Sequence, residues 1–133
     1  MGSLLKMTNY DTITWDRGSS ATASLIFGMP NTTQVGSEVL NQVAFPKRFI
    51  VENIRVYVRV NSKASDIPMA LRINGVSVIS WNIPAGVTGL QYDSGLIRQV
   101  INAEDLLANM VDLASAGAGS FSYVMFANGV WIA

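Results

Sequence analysis

Apolar and polar residues alternate with a period of two over much of this chain. The clearest run spans 50–61, where Ile54, Val56, Val58 and Val60 fall on one face and Arg55, Tyr57 and Arg59 on the other. That pattern predicts a strand with one buried and one wet face, and its β-branched content argues against a helix. Ala23, Leu25 and Phe27 share a face in the same way and predict a strand over 21–28, closed by Met29-Pro30-Asn31. A further strand is expected over 39–45, ending at Pro46. Residues 69–73 and 76–83 flank Asn74-Gly75. This dipeptide tolerates the two positive φ angles of a type I′ turn, so it predicts a hairpin.

Pro84-Ala85-Gly86-Val87-Thr88-Gly89 breaks the run at a corner, and a short strand is expected over 96–101. Over 106–113 the residues Leu106, Leu107, Met110, Val111 and Leu113 also fit one helical face, with Asn102 as a possible cap, so strand and helix both stand there. Residues 121–132 form a last strand with apolar side chains on both faces, Phe121, Tyr123 and Met125 against Val124 and Phe126. Such a strand is expected to be central or covered. Residues 1–21 show no sustained period and read as an extended N-terminal arm, leaving 22–133 as the domain. About eight strands without βαβ alternation predict an all-β fold, an antiparallel, jelly-roll-like β-sandwich.

Composition narrows the function. The chain has 133 residues, enough for one core held by packing alone, and no cysteine. Half of it is apolar and only 14% is charged, against roughly 25% in an ordinary soluble domain. Part of the outside is therefore expected to be covered. Nine basic and nine acidic residues cancel without forming runs, which leaves no footprint for nucleic acid and little self-repulsion between copies. No apolar run approaches the ~20 residues of a membrane-spanning helix, and the opening Met1-Gly2-Ser3-Leu4-Leu5-Lys6 is too short and too lightly charged for a secretory signal. Neither nucleic acid nor membrane is an expected partner.

Candidate chemistry is sparse. With no histidine the chain lacks the usual general base and the commonest transition-metal ligand. Glu104 and Asp105, with Asp93 or Asp112, allow a paired-carboxylate mechanism in form, but an exposed turn is the plainer reading of that pair. The spacing does not match a twelve-residue calcium loop, and Gly117-Ala118-Gly119 and Gly86-Val87-Thr88-Gly89 lack the Lys-Ser/Thr of a phosphate loop. No cofactor is called for, and the protein is expected not to be an enzyme.

Large aromatic and aliphatic groups off the expected buried faces are the better candidates. Ile13 and Trp15 in the arm, Tyr57 on the polar side of its strand and Trp131 near the last residue are expected protein-contact residues. For each aromatic, packing in the core or along an edge is the plain alternative, and Trp15 is expected to dock on its own domain or on a neighbour. Tyr57, Tyr92, Trp81 and Trp131 could also make a sugar-stacking platform.

Three phrases carry a resemblance. Leu71-Arg72-Ile73-Asn74-Gly75-Val76, Ile83-Pro84-Ala85-Gly86-Val87-Thr88-Gly89 and Ile101-Asn102-Ala103-Glu104-Asp105-Leu106 resemble the hairpin, corner and acidic turn of small jelly-roll proteins of tailed-phage virions, which include head decoration (cement) proteins and fibre modules. The likeness covers roughly the last two-thirds of the chain, and the acidic turn departs from an Ala-Gly-Asp form. It implies a virion protein assembled in the host cytoplasm, a homo-oligomer, with a trimer favoured, that binds the major capsid protein or another virion protein. The alternative from the same resemblance is a carbohydrate- or receptor-binding module of a fibre.

Overall fold

The computed structural model describes residues 9–20, 24–30 and 36–132. They form ten strands: β1 (Tyr10–Ser20), β2 (Leu25–Gly28), β3 (Val43–Ala44), β4 (Arg48–Asn61), β5 (Ile67–Ile73), β6 (Val76–Ile83), β7 (Gly89–Asp93), β8 (Gln99–Ile101), β9 (Leu106–Asp112) and β10 (Phe121–Ile132). All pairings are antiparallel. The front sheet runs β1-β10-β4-β7, with β8 also on β4, and the back sheet runs β2-β9-β5-β6, with β3 also on β9. β7 and β8 occupy successive stretches of one edge of β4, as β2 and β3 do on β9. Counting each of these pairs as one interrupted strand leaves eight, ordered 1-8-3-6 facing 2-7-4-5. This is the strand order of a jelly roll, and the all-β sandwich expected from the alternation is the fold observed.

The core lies between the sheets. From the front come Trp15, Phe49, Val51, Ile54, Val56, Val58, Phe121, Tyr123 and Met125, and from the back Ile67, Met69, Leu71, Ile83, Leu107 and Val111. Two bulges in β4 decide which of its residues enter. Against β10, Asn53 pairs with Asn128 but Val51 with Gly129, so Glu52 is extra and the phase resets. Odd-numbered Phe49 and Val51 therefore face the core together with even-numbered Ile54, Val56 and Val58. The second bulge, at Arg59, turns Val60 outward to 40% exposure, although its alternation groups it with Val58. Gly129 is required at the first bulge: a Cβ there would stand 2.1 Å from the carbonyl oxygen of Ile50 and 2.7 Å from the Phe49 ring.

β10 is central in the front sheet, between β1 and β4; one of its apolar faces lines the core and the other turns outward. Asn74 and Gly75 hold φ of 52° and 78° in the expected hairpin. One buried polar pair ties the sheets together: the Tyr123 hydroxyl of β10 donates to Asn109 Oδ1 of β9, and Asn109 Nδ2 donates to the Ala70 carbonyl at 3.1 Å.

Several expected boundaries change. Residues 10–20, assigned above to the arm, are β1 and pair with β10 over most of their length, so they belong to the sandwich. Arm residues 1–8 and positions 21–23 of the expected first strand lie outside the described residues. The strand expected over 39–45 shrinks to Val43–Ala44. Upstream of it the chain makes a turn closed by Asn41 N–H to the Glu38 carbonyl at 2.9 Å, leaving Val39 and Leu40 83% and 74% exposed. The strand expected over 96–101 shrinks to Gln99–Ile101, because Asp93 and Ser94 enter a turn at Gly95 with φ of 66°. β7 was not anticipated: its short alternation is diluted by Gly89, Gln91 and Asp93. Over 106–113 the strand prevails. Glu104 at φ of 70° and Asp105 Oδ2, which accepts Asn102 N–H at 2.9 Å, close a tight turn where a helix would have begun. Leu107, Asn109, Val111 and Leu113 then alternate inward.

Candidate functional site

The register of the front sheet places apolar side chains in rows across its outward face. One row is Val124 of β10, Tyr57 of β4 and Leu90 of β7, flanked by Asp16 of β1. The next is Thr14, Phe126, Arg55 and Asp93, and Tyr57 meets Phe126 edge to face at 6.0 Å. Below a polar band of Thr12, Asn128 and Asn53 comes a second apolar row, Tyr10, Val130, Ile50 and Val100. Tyr10 is 65% and Leu90 46% exposed, and the side chains between them are half-buried by one another. The rows arise because β10 carries Val124, Phe126 and Val130 at alternate outward positions.

Ion pairs rim this face. Arg59 grips Asp16 and also donates to the Arg17 carbonyl at 2.9 Å, while Arg55 Nε lies 3.3 Å from Asp93. The hydrogen bonds from Arg59 hold the Asp16 carboxyl below its ordinary value and raise the guanidinium of Arg59. Asp93 is likewise lowered, first by the Gly95 amide at 2.9 Å and the Asn53 amide at 2.8 Å, and further by Arg55. Both carboxylates and both guanidiniums are spent on each other, so these two pairs carry no net charge.

The outward face of the back sheet is finished differently. Ala70 of β5 and Ala108 of β9 point outward yet are buried. Arg72, beside them on β5, lies over the Phe27 ring at 5.8 Å and grips Glu38 with two hydrogen bonds, at 2.5 and 3.2 Å. That fork anchors the turn carrying Val39 and Leu40.

The four expected contact residues separate. Trp15 is fully buried in its own core, its indole N–H donating to the Gly28 carbonyl at 3.2 Å, so it is not presented to a neighbour. Tyr57 lies on the front outward face. Ile13 and Trp131 come together along a groove of about 460 Å³ where the β1 edge of the front sheet meets β3 of the back sheet. Trp131 packs there on Phe45 and Phe49, with ring centroids 5.3 and 4.7 Å away, and donates to Asp11 at 3.0 Å. The sugar-stacking platform that Tyr57, Tyr92, Trp81 and Trp131 could have made does not assemble. Trp81 is buried and stacks on half-buried Tyr92 at 4.6 Å across one margin of the sandwich, and burial pushes the Tyr92 phenol up.

The carboxylates stay apart. Glu104 and Asp105 occupy the turn before β9, with Asp105 Oδ1 accepting from Asn74 at 3.0 Å. Asp112 bonds Ser115, and Asp93 belongs to the front rim. Among the described residues no three metal-ligating side chains gather as a metal site would require. Sequence reasoning passed over Val124, Phe126 and Val130 as surface residues. Their signal was present in the apolar outward phase of 121–132, but the phase that faces outward is known only once β4 and β1 are placed beside it.

No protein-family model matches the sequence, and no curated protein matches it. Among solved structures, the crystal structure of PirA is similar over 90% of this chain and 93% of that one, with 9% identity and a TM-score of 0.35. The VP2 subviral particle of infectious bursal disease virus is similar over 92% of this chain, with 12% identity and a TM-score of 0.29, and the chain spans 33% of that protein.

Proposed function

We propose that this chain is a non-enzymatic structural protein of a virion, a decoration (cement) protein that seats its front sheet on neighbouring capsid subunits and stabilises them. The observation that carries the reading is the outward apolar face built by Val124, Phe126, Tyr57 and Leu90, with two ion pairs beside it. Jelly rolls serve many functions, so the reading rests on this surface and not on the fold. A face of large apolar side chains rimmed by polar groups is the kind of patch that marks a protein contact. The chain's zero formal net charge limits long-range repulsion between copies brought close on one shell. Burial at about 25 cal/mol per Å² favours the contact and the cost of association opposes it, so many copies acting together give the stabilisation.

The test is co-sedimentation of the purified chain with capsid shells assembled from the capsid protein of the genome that encodes it. Phe126→Asp replaces the central ring of the face by a carboxylate, and is expected to abolish co-sedimentation while the circular dichroism spectrum is kept. Retained binding by a folded Phe126→Asp chain overturns the reading.

A further inference from the structure

We infer that the groove between β1 and β3 is a second binding site, one that takes an extended peptide segment as an added strand on β1. This site is distinct from the outward face of the front sheet and does not depend on it.

Among the described residues β1 is an edge strand of 11 residues that pairs with β10 alone. Its hydrogen-bonding phase is fixed by the Trp131 amide, which donates to the Asn9 carbonyl at 2.8 Å. In an antiparallel ladder each residue turns both backbone groups to the same neighbour. Odd-numbered residues of β1 therefore bond β10, and Thr12, Thr14 and Asp16 turn their amides and carbonyls to the open edge. An edge of this length is a template for a further strand.

Asp11 reports what belongs there. Its Oδ1 accepts the Thr12 amide at 2.8 Å. That amide is one of those turned away from β10, so the carboxylate stands where the carbonyl oxygen of an added strand would sit. Beside the edge lies the groove, with Ile13, Val43, Phe45 and Trp131 among its lining. A strand added to β1 would turn alternate side chains onto these apolar groups. Asp11 is the one charged side chain among the described lining residues. The occupant that matches edge, lining and charge is an extended segment with apolar residues at alternate positions and a basic residue opposite Asp11.

β1 of a second copy fits less well. It could satisfy the edge, but its inward side chains Ile13 and Trp15 are already committed to its own core, which would leave the groove unfilled.

The probe is a fluorescein-labelled synthetic decapeptide of alternating valine and threonine with a lysine at each end, titrated with the whole chain by fluorescence anisotropy. Saturable binding is expected. Methylating the alternate peptide nitrogens that face β1 should weaken it at least tenfold, as should Thr14→Pro, which removes an outward amide but no β10 bond. Trp131→Ala should weaken it by removing part of the lining. Val124→Asp, on the separate outward face, should leave it unchanged. Because the methylated peptide is tested on the unaltered chain, the result does not hinge on any variant folding. Equal affinity for methylated and plain peptide, or no binding up to millimolar chain, overturns the proposal. So does self-association of the chain that the peptide does not displace, which would assign the edge to a second copy.

Discussion

The two outward faces of this sandwich, built on sheets of similar size, are finished in opposite ways. On the back, the outward positions beside Arg72 are alanines, and the Glu38 fork draws the 36–42 segment toward them. On the front, the outward positions of β10 include Val124, Phe126 and Val130, and the ion pairs run from β4 to the edge strands β1 and β7. Small side chains let a chain's own loop approach a sheet closely, and a half-buried ion pair fixes that loop in place. Large side chains keep a loop at a distance and leave apolar surface for another molecule.

The contrast is most easily broken by adding volume. Ala108→Leu on the back is expected to cost about 1–3 kcal/mol in urea unfolding, because Ala108 is fully buried, whereas Val124→Leu on the front should stay within about 0.5 kcal/mol. Equal costs would mean that the faces are equally covered. Next in size is the fork itself. Glu38→Ala leaves Arg72 half-buried without its carboxylate and is expected to cost about 1–2 kcal/mol, with faster amide exchange across 36–42 and little change across β10.

On the front, Tyr57→Ala removes an edge-to-face partner of Phe126 and is expected to cost roughly 0.5–1.5 kcal/mol beyond the area lost. Its larger consequence should be weaker co-sedimentation, a readout that Ala108→Leu leaves alone so long as the chain stays folded.

The smallest effect concerns acid. Arg59 holds the folded-state value of Asp16 below the ordinary 3.8. The stability this contributes is present above the unfolded value and is lost as pH falls through the folded one. Asp16→Asn should therefore flatten the acid limb of a stability-against-pH curve, by at most about 0.5 kcal/mol because the pair is exposed and screened.

Much of the fold was legible in the chain. Asn74-Gly75 marked its hairpin because only a few residues accept two successive positive φ angles. The phases of 50–61 and 121–132 marked strands because a strand cannot avoid period two. What misled was local dilution. Gln91 and Asp93 hid β7, and Val39 and Leu40 imitated a strand although they sit at a turn held by a distant arginine. Of the candidate site, Tyr57 was legible as a large ring among polar neighbours, Ile13 as a large group in the arm and Trp131 as a large ring near the last residue. That the last two share a groove depends on β1 pairing with a strand more than a hundred residues away.

By itself the sequence determined an all-β chain, the partition of each strand into two side-chain sets, and the sites of the sharpest turns. These are consequences of backbone geometry within a few residues. Tertiary structure alone decided which set is buried. The bulges at Glu52 and Arg59 reset the phase of β4, β1 took Trp15 into the core, and the placement of β10 between β1 and β4 turned Phe126 outward. Alternation tells which residues share a face. Which face is covered depends on strands far away in the chain, and only their packing settles it.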